Sequence, residues 1–381
     1  MGLLGILVAL GLLIWLAYRG WSVLLLAPAA AILAAGLAGE PLLAHWTQTF
    51  MGSAARFVMQ FFPIFLLGAL FGKLMEDSGS VSTIASFLAE RLGPRRAVLS
   101  VVLAGALVTY GGVSLFVAFF VLAPMAHRLF RAAAIPRRLM PAAIALGTST
   151  FTMSAMPGTP IVVGVNLLMS LFVLSRLDSS FLADQVWGST SLSAVGGVWS
   201  VVTALATAIV TLIAVNYRRL PALRASVDAG ANASALPVLS VASLVGFGSV
   251  VAALPAFATV RDWVLSIDGG PLVSLAVATN VLASLTGSAS GGMTIALDAL
   301  GSAYMRLAVE QGIDPALMHR VAVIGAGTLD SLPHNGAVVT LLAVCGSTHR
   351  ESYLDIVMVA IVGALLGLIA VIGLGTAFGS F

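Results

Sequence analysis

Charge is what this sequence has least of. Only 9% of its 381 residues are Asp, Glu, Lys or Arg, against roughly 25% in water-soluble domains. So few charges cannot cover the surface of a soluble protein of this size. Lysine occurs once, at Lys73, and cysteine once, at Cys345. One thiol excludes an intrachain disulfide framework and a thiolate metal cluster. Inside an apolar run it reads as a small buried residue. There is no P-loop, no glycine fingerprint after a strand and no metal-ligand spacing. ATP-driven work by this chain and a bound cofactor are therefore not expected, nor is an enzyme. The net charge of +3 does not point to nucleic acid. The arginines lie in short loops between apolar runs, where they act as topology signals facing anionic lipid.

What the chain has is apolar length. Hydrophobic residues make up 60% of it, and mean hydropathy is +1.08. Its uncharged runs are 1–18, 20–39, 57–72, 97–126, 139–175, 185–217, 229–260, 269–297 and 356–381. A bilayer span needs about 20 such residues, so an all-α polytopic membrane protein is expected. Residues 1–18 carry no basic residue before the apolar core, so they read as a first spanning helix and not as a cleavable signal.

Two kinds of run do not fit a simple span. The run 139–175 would make a straight helix of ~55 Å, against a ~30 Å hydrocarbon core. Its middle, Gly147 to Pro160, holds two prolines among glycines and hydroxyls, which interrupt a helix. A broken helix with a polar centre follows, tolerated at membrane depth only where it lines a cavity or is buried in protein. The run 97–126 has arginines at both ends, Arg95 and Arg96 before it and Arg128 and Arg131 after it. A single span would put one cluster outside, against the positive-inside rule. A re-entrant hairpin over 97–131, with its tip at Thr109-Tyr110-Gly111-Gly112-Val113-Ser114, keeps both inside.

Both devices recur. A second hairpin is expected over 270–309, with its tip at Gly287-Ser288-Ala289-Ser290-Gly291-Gly292. A second broken helix is expected over 316–346, interrupted from Gly327 to Gly336. The pair Leu139-Met140, just before the first break, returns as Leu317-Met318 just before the second. The domain reading is therefore residues 1–52 as scaffold helices, 53–217 as a first repeat, 218–235 as a cytoplasmic linker and 236–381 as a second repeat. With the N-terminus outside, thirteen basic residues face the cytoplasm and five face out. The hairpins then enter from opposite sides, and the repeats are inverted. Residues 78–93 read as a short interfacial helix, with Val81, Ile84, Leu88 and Leu92 on one face.

Four helix interruptions converging on one cavity would present free N–H groups and partial positive charge to an anion. No Lys or Arg occurs in the four segments, which leaves dipoles and hydroxyls as ligands. The expected substrate set is Thr109, Tyr110, Gly111, Gly112 and Ser114; Thr150, Thr152, Ser154, Gly158 and Thr159; Ser288, Ser290, Gly291 and Gly292; and Ser331, His334 and Asn335. For any single Ser or Thr the competing role is a hydrogen bond back to its own helix. Asp330 and His334 are titratable groups inside a polar break, and an intramembrane ionisable residue is a functional candidate. Either one carries a coupling proton, Asp330 helps hold Na⁺, or the two form a structural pair. Asp298 reads as a second proton site or as an interhelical carboxylate.

These motifs resemble the gluconate:proton symporter (GntP-type) family of bacterial permeases, within the ion transporter superfamily. The matching stretches are Thr109 to Phe116, Ala145 to Pro160, Thr286 to Gly292, Leu332 to Val338 and Leu342 to Tyr353. The resemblance implies an elevator-type carrier in a bacterial inner membrane, working by proton-coupled symport of a small organic anion such as gluconate or another hydroxy acid. A homodimer is expected by analogy. The chain departs from the family after Pro160, where Ile161 to Ser175 is plainly apolar and 161–230 looks shortened. The alternatives are a sodium-coupled di- or tricarboxylate carrier or, from a different class, a channel or intramembrane enzyme.

Overall fold

The structure is a computed structural model that describes residues 2–19, 21–110, 115–150, 160–286, 289–333 and 336–379. Its described residues form helices and no strand. Two helices open the chain, α1 (Gly2–Tyr18) and α2 (Val23–Ala38). A long helix follows, α3 (Leu42–Asp77), and then α4 (Ser80–Leu92). The first hairpin is α5 (Ala97–Tyr110) and α6 (Leu115–Ala132). The first long apolar run is α7 (Met140–Ala145), which passes into a π-helical turn at Leu146–Thr150, and α8 (Pro160–Leu168). After these come α9 (Leu192–Asn216), α10 (Leu223–Ala253) and α11 (Phe257–Leu265). The second hairpin is α12 (Gly270–Thr286) and α13 (Ala289–Gln311). The second broken helix is α14 (Pro315–Thr328) and α15 (Gly336–Cys345), and α16 (His349–Phe378) closes the chain.

Four of these helices, α3, α9, α10 and α16, are long and apolar enough to cross a bilayer. The outer surface agrees: Leu43, Met59, Val210, Val309 and Ile369 are all largely exposed. Such an apolar surface suits lipid and not water.

The long helices α3 and α10 pack against each other and run antiparallel. Gly230 near the start of α10 lies on Leu70 and Lys73, and Gly246 near its end lies on Phe50. Three hydrophobic cores surround this pair. One joins the end of α3 with α4 to α9 and with α15. A second holds α1 and α2 against α10. A third joins α12, α13 and α14 to the far end of α16.

Two expected boundaries differ in the structure. The stretch 218–235, expected as a cytoplasmic linker, is helical from Leu223 onward, where it forms the first turns of α10. Its buried face is Ser226, Gly230 and Ser234, spaced four apart and therefore on one side of a helix. Small residues allow close helix approach without large apolar ones, so the pattern carries no apolar period. The boundary at 52/53 falls inside α3, which continues unbroken because nothing there stops it; even Pro63 is accommodated. The two halves also interlock: α15 packs on α6, so the second-half element α15 belongs to the first core. The apolar segment after Pro160 is α-helical only to Leu168, then takes a π-helical turn at Met169–Val173 and a 3-10 turn at Leu174–Arg176.

The helix expected over 78–93 forms as α4. Val81 is buried in the first core, with Ile84 and Leu88 packed on it. The chain then bends by 106° into α5.

Candidate functional site

The second hairpin closes by direct contact of its arms. Ala283 on α12 lies against Gly292 on α13, where a Cβ would collide with the Ala283 main chain. Further from the tip, Ser274 Oγ and Tyr304 OH share a buried hydrogen bond of 2.7 Å. The pairs 283/292 and 274/304 show the arms running antiparallel, as a hairpin requires. In the first hairpin, Thr109 Oγ1 donates to the Gly105 carbonyl at 2.7 Å. That donor is spent on its own helix, the competing role open to any single hydroxyl. Its oxygen still has acceptor capacity.

Each hairpin crosses the broken helix of its own half at a glycine. Gly147, in the π-helical turn, packs so closely on Val102 of α5 that a Cβ would meet the Val102 carbonyl. Gly325 on α14 packs on α12 in the same way, against the Thr279 hydroxyl and with Asn280 Nδ2 beside it. The two glycines, Gly147 and Gly325, are separated as Leu139 is from Leu317, and their partners, Val102 and Thr279, fall one residue short of that spacing. At the second crossing, Thr279 donates to Leu275 at 2.9 Å and Asn280 Nδ2 to Ala276 at 2.9 Å. Asn280 Oδ1 is buried with no hydrogen-bond partner, an arrangement that normally costs stability.

The second break is built from a helix that stops and restarts. α14 ends at Thr328, whose hydroxyl bonds back to Ile324 at 2.7 Å. A 3-10 turn, Leu329–Ser331, carries Asp330 and Ser331, both half-buried, and α15 begins at Gly336. Interrupting a helix frees carbonyls that need donors. Two side chains of α16 supply them: Tyr353 OH donates to the Ser331 carbonyl at 3.2 Å, and His349 Nε2 to the Pro333 carbonyl at 2.8 Å. At the far end of α15, Arg137 donates to the Cys345 carbonyl through Nη2 at 2.8 Å and Nε at 3.3 Å. A cation at a helix C-terminus opposes the dipole there. Gly346 follows with φ +59°, and Arg137 leaves no room for a side chain on it.

Not all of the expected site can be placed. Gly111, Gly112, Ser114, Thr152, Ser154, Gly158, Thr159, Ser288, His334 and Asn335 lie outside the described residues. Of Tyr110, Thr150, Ser290 and Gly291 only the backbone is described: each lies at the end of a helix bordering a tip or a break. Among the described residues no three His, Cys, Asp or Glu side chains gather into a metal site. Sequence reading missed Asn280, Arg137, His349 and Tyr353 as parts of these junctions. Asn280 had a signal, being an amide within the uncharged run 269–297. The other three sit in loops or in α16, and only folding brings them to the second broken helix.

The model of the GntP family of permeases matches residues 1–173. An uncharacterised transporter of Bacillus subtilis strain 168, YxjC, is 34% identical over 468 aligned positions, covering 98% of this chain and 99% of the relative. Because the chain has 381 residues, at least 87 of those positions (468 − 381) have no counterpart in it. No solved structure matches significantly. The chain belongs to the GntP permease family and is a multi-pass α-helical membrane transporter of the secondary class.

Proposed function

We propose that this transporter is a proton-coupled symporter for a small hydroxylated organic anion, gluconate or another hydroxy acid, in a bacterial inner membrane. One observation carries the reading most directly: each half has a broken helix crossed by a hairpin at a glycine, and the two glycines are separated as Leu139 is from Leu317. Such interruptions suit an anion site made of helix ends and hydroxyls. The antiparallel pairing of α3 with α10 supports two inverted repeats, because the same element then runs in opposite directions in each half. In this reading α1, α2, α3 and α10 form the scaffold of an elevator and, as a homodimer, its contact between copies. Asp330 and His334 carry the coupling proton beside the substrate.

Counterflow in proteoliposomes tests the substrate class. Labelled gluconate is expected to exchange against unlabelled gluconate, other aldonates or short hydroxy acids at equal pH on both sides, without added Na⁺. Exchange of di- or tricarboxylates alone, and only with Na⁺, would replace the proton reading by the sodium-coupled one. Topology has a separate test. Ala134 is exposed in the turn after α6, whereas Cys345 is fully buried and gives little background. A cysteine at position 134 is expected to react with an impermeant maleimide from the cytoplasmic side only. Labelling from outside would rule out the first hairpin.

A further inference from the structure

The second hairpin meets α10 across a seam that carries a side-chain hydrogen bond between Ser249 and Asp298. The Ser249 hydroxyl on α10 donates to Asp298 Oδ2 on α13 at 2.5 Å, the length of a charge-assisted O–H···O bond. One turn nearer the hairpin tip, Ile295 rests on Gly248. Beside these contacts an apolar cavity of about 200 Å³ separates α1 and α10 from α12 and α13, with Phe247, Val251, Leu282 and Ala299 in its walls. The cores divide at the same place: Ile295 packs with α1, α2 and α10, while the outer part of α13 packs with α12 and α14. The seam is packed at Ile295, thinned beside it by the void, and less extensive than the packing of α3 on α10.

Asp298 is exposed at this seam, and no ion pair to it occurs among the described residues. α1 and α12 bring no charged side chain. On α13 the other charged groups are Arg306 and Glu310, on α14 His319 and Arg320, and on α10 Arg224 and Asp228 at its opposite end. Glu40 and His45, beside α10, face each other at 3.9 Å.

We propose that Asp298 is a further proton-binding group of the carrier, held on α10 by the Ser249 hydroxyl while it is ionised. This rests on the proton-coupled reading above. The ionised carboxylate accepts the Ser249 bond and holds the hairpin on α10. A proton from water forms an O–H bond on the carboxylate, and the neutral acid leaves Ser249 as the hairpin moves. On the other side that O–H bond breaks and the proton returns to water. The empty carrier returns with the carboxylate ionised and remakes the Ser249 bond. With the anionic substrate aboard, a bare carboxylate would add a second negative charge to the moving hairpin beside apolar surface, so the loaded carrier moves only when Asp298 is protonated.

The test uses the full chain in proteoliposomes with labelled gluconate and clamped pH. Ser249→Ala removes the bond that holds the hairpin on α10, so the pH midpoint of uptake is expected to move away from the wild-type value. Asp298→Asn is expected to abolish uphill accumulation and flatten the pH profile, and Asp298→Glu to restore the pH dependence. A wild-type midpoint in Ser249→Ala, or wild-type accumulation in Asp298→Asn, overturns the proposal. If Asp298→Asn does not insert, the Ser249→Ala midpoint decides alone. A wild-type protein silent in counterflow overturns the carrier reading and this proposal with it. Wild-type counterflow combined with unchanged variants overturns only the role of Asp298.

Discussion

Valine at Gly292 is expected to abolish uptake and lower the thermal stability of the purified protein. Even a methyl group there would collide with the backbone nitrogen and Cα of Ala283. Main chain cannot move aside as a flexible side chain can, so the arms of the second hairpin must separate. Overpacking of this kind costs ~1–3 kcal/mol, at times more, and it displaces the tip from the second break. Gly147→Val is expected to act the same way by pushing α5 off the first break at Val102. Gly68 on α3 is the control. An added Cβ there meets nothing within 4 Å, and alanine favours a helix over glycine by ~0.5–1 kcal/mol. Gly68→Ala is therefore expected to leave uptake intact and stability unchanged or raised. Unfolding temperature in detergent, read beside uptake in vesicles, checks the three together. Wild-type stability in Gly292→Val would mean the arms of the second hairpin do not meet there, and in Gly147→Val that α5 does not touch the first break.

Asp330→Asn is expected to abolish proton-driven accumulation. Asp330 is half-buried in the short turn between α14 and α15, at an interruption that α16 holds open through Tyr353 and His349. Asparagine keeps the size of the side chain but cannot take up and release a proton. For one coupled proton, a gradient of one pH unit is worth about 1.4 kcal/mol and supports about tenfold accumulation. The variant should fall to the equilibrium ratio. Exchange at equal pH is the companion measurement, because a variant silent in both has lost the substrate site and not only coupling. Tenfold accumulation with an unchanged pH profile would make Asp330 a structural residue of the break.

The hairpin limits and the helix breaks are legible in the sequence because they rest on local chemistry. Arginines at both ends of 97–126 and overlong uncharged runs point to them without any knowledge of packing. Helices run over Ala97–Tyr110 and Leu115–Ala132, and over Gly270–Thr286 and Ala289–Gln311. The helix across 218–235 is not legible, because α10 packs there through Ser226, Gly230 and Ser234. Small residues give no apolar period, so the helix is silent in a pattern that counts large side chains. Around the candidate site, Asp330 stands out by being ionisable in an apolar setting. Asn280 does not, since an amide in an apolar run reads as an ordinary polar exception until its buried, unpaired oxygen is seen.

Composition alone determined that this chain lives in a membrane, because 9% charge cannot solvate a soluble surface. The run lengths alone determined that its helices break, because a helix gains a fixed rise with every residue and the longest runs outreach the bilayer. Tertiary structure decided which segments meet. It brought Gly147 onto Val102 and Gly325 onto Thr279, Arg137 onto the end of α15, and Ser249 onto Asp298. Those partners lie many helical turns apart along the chain, and no local rule of periodicity or capping reaches across such distances.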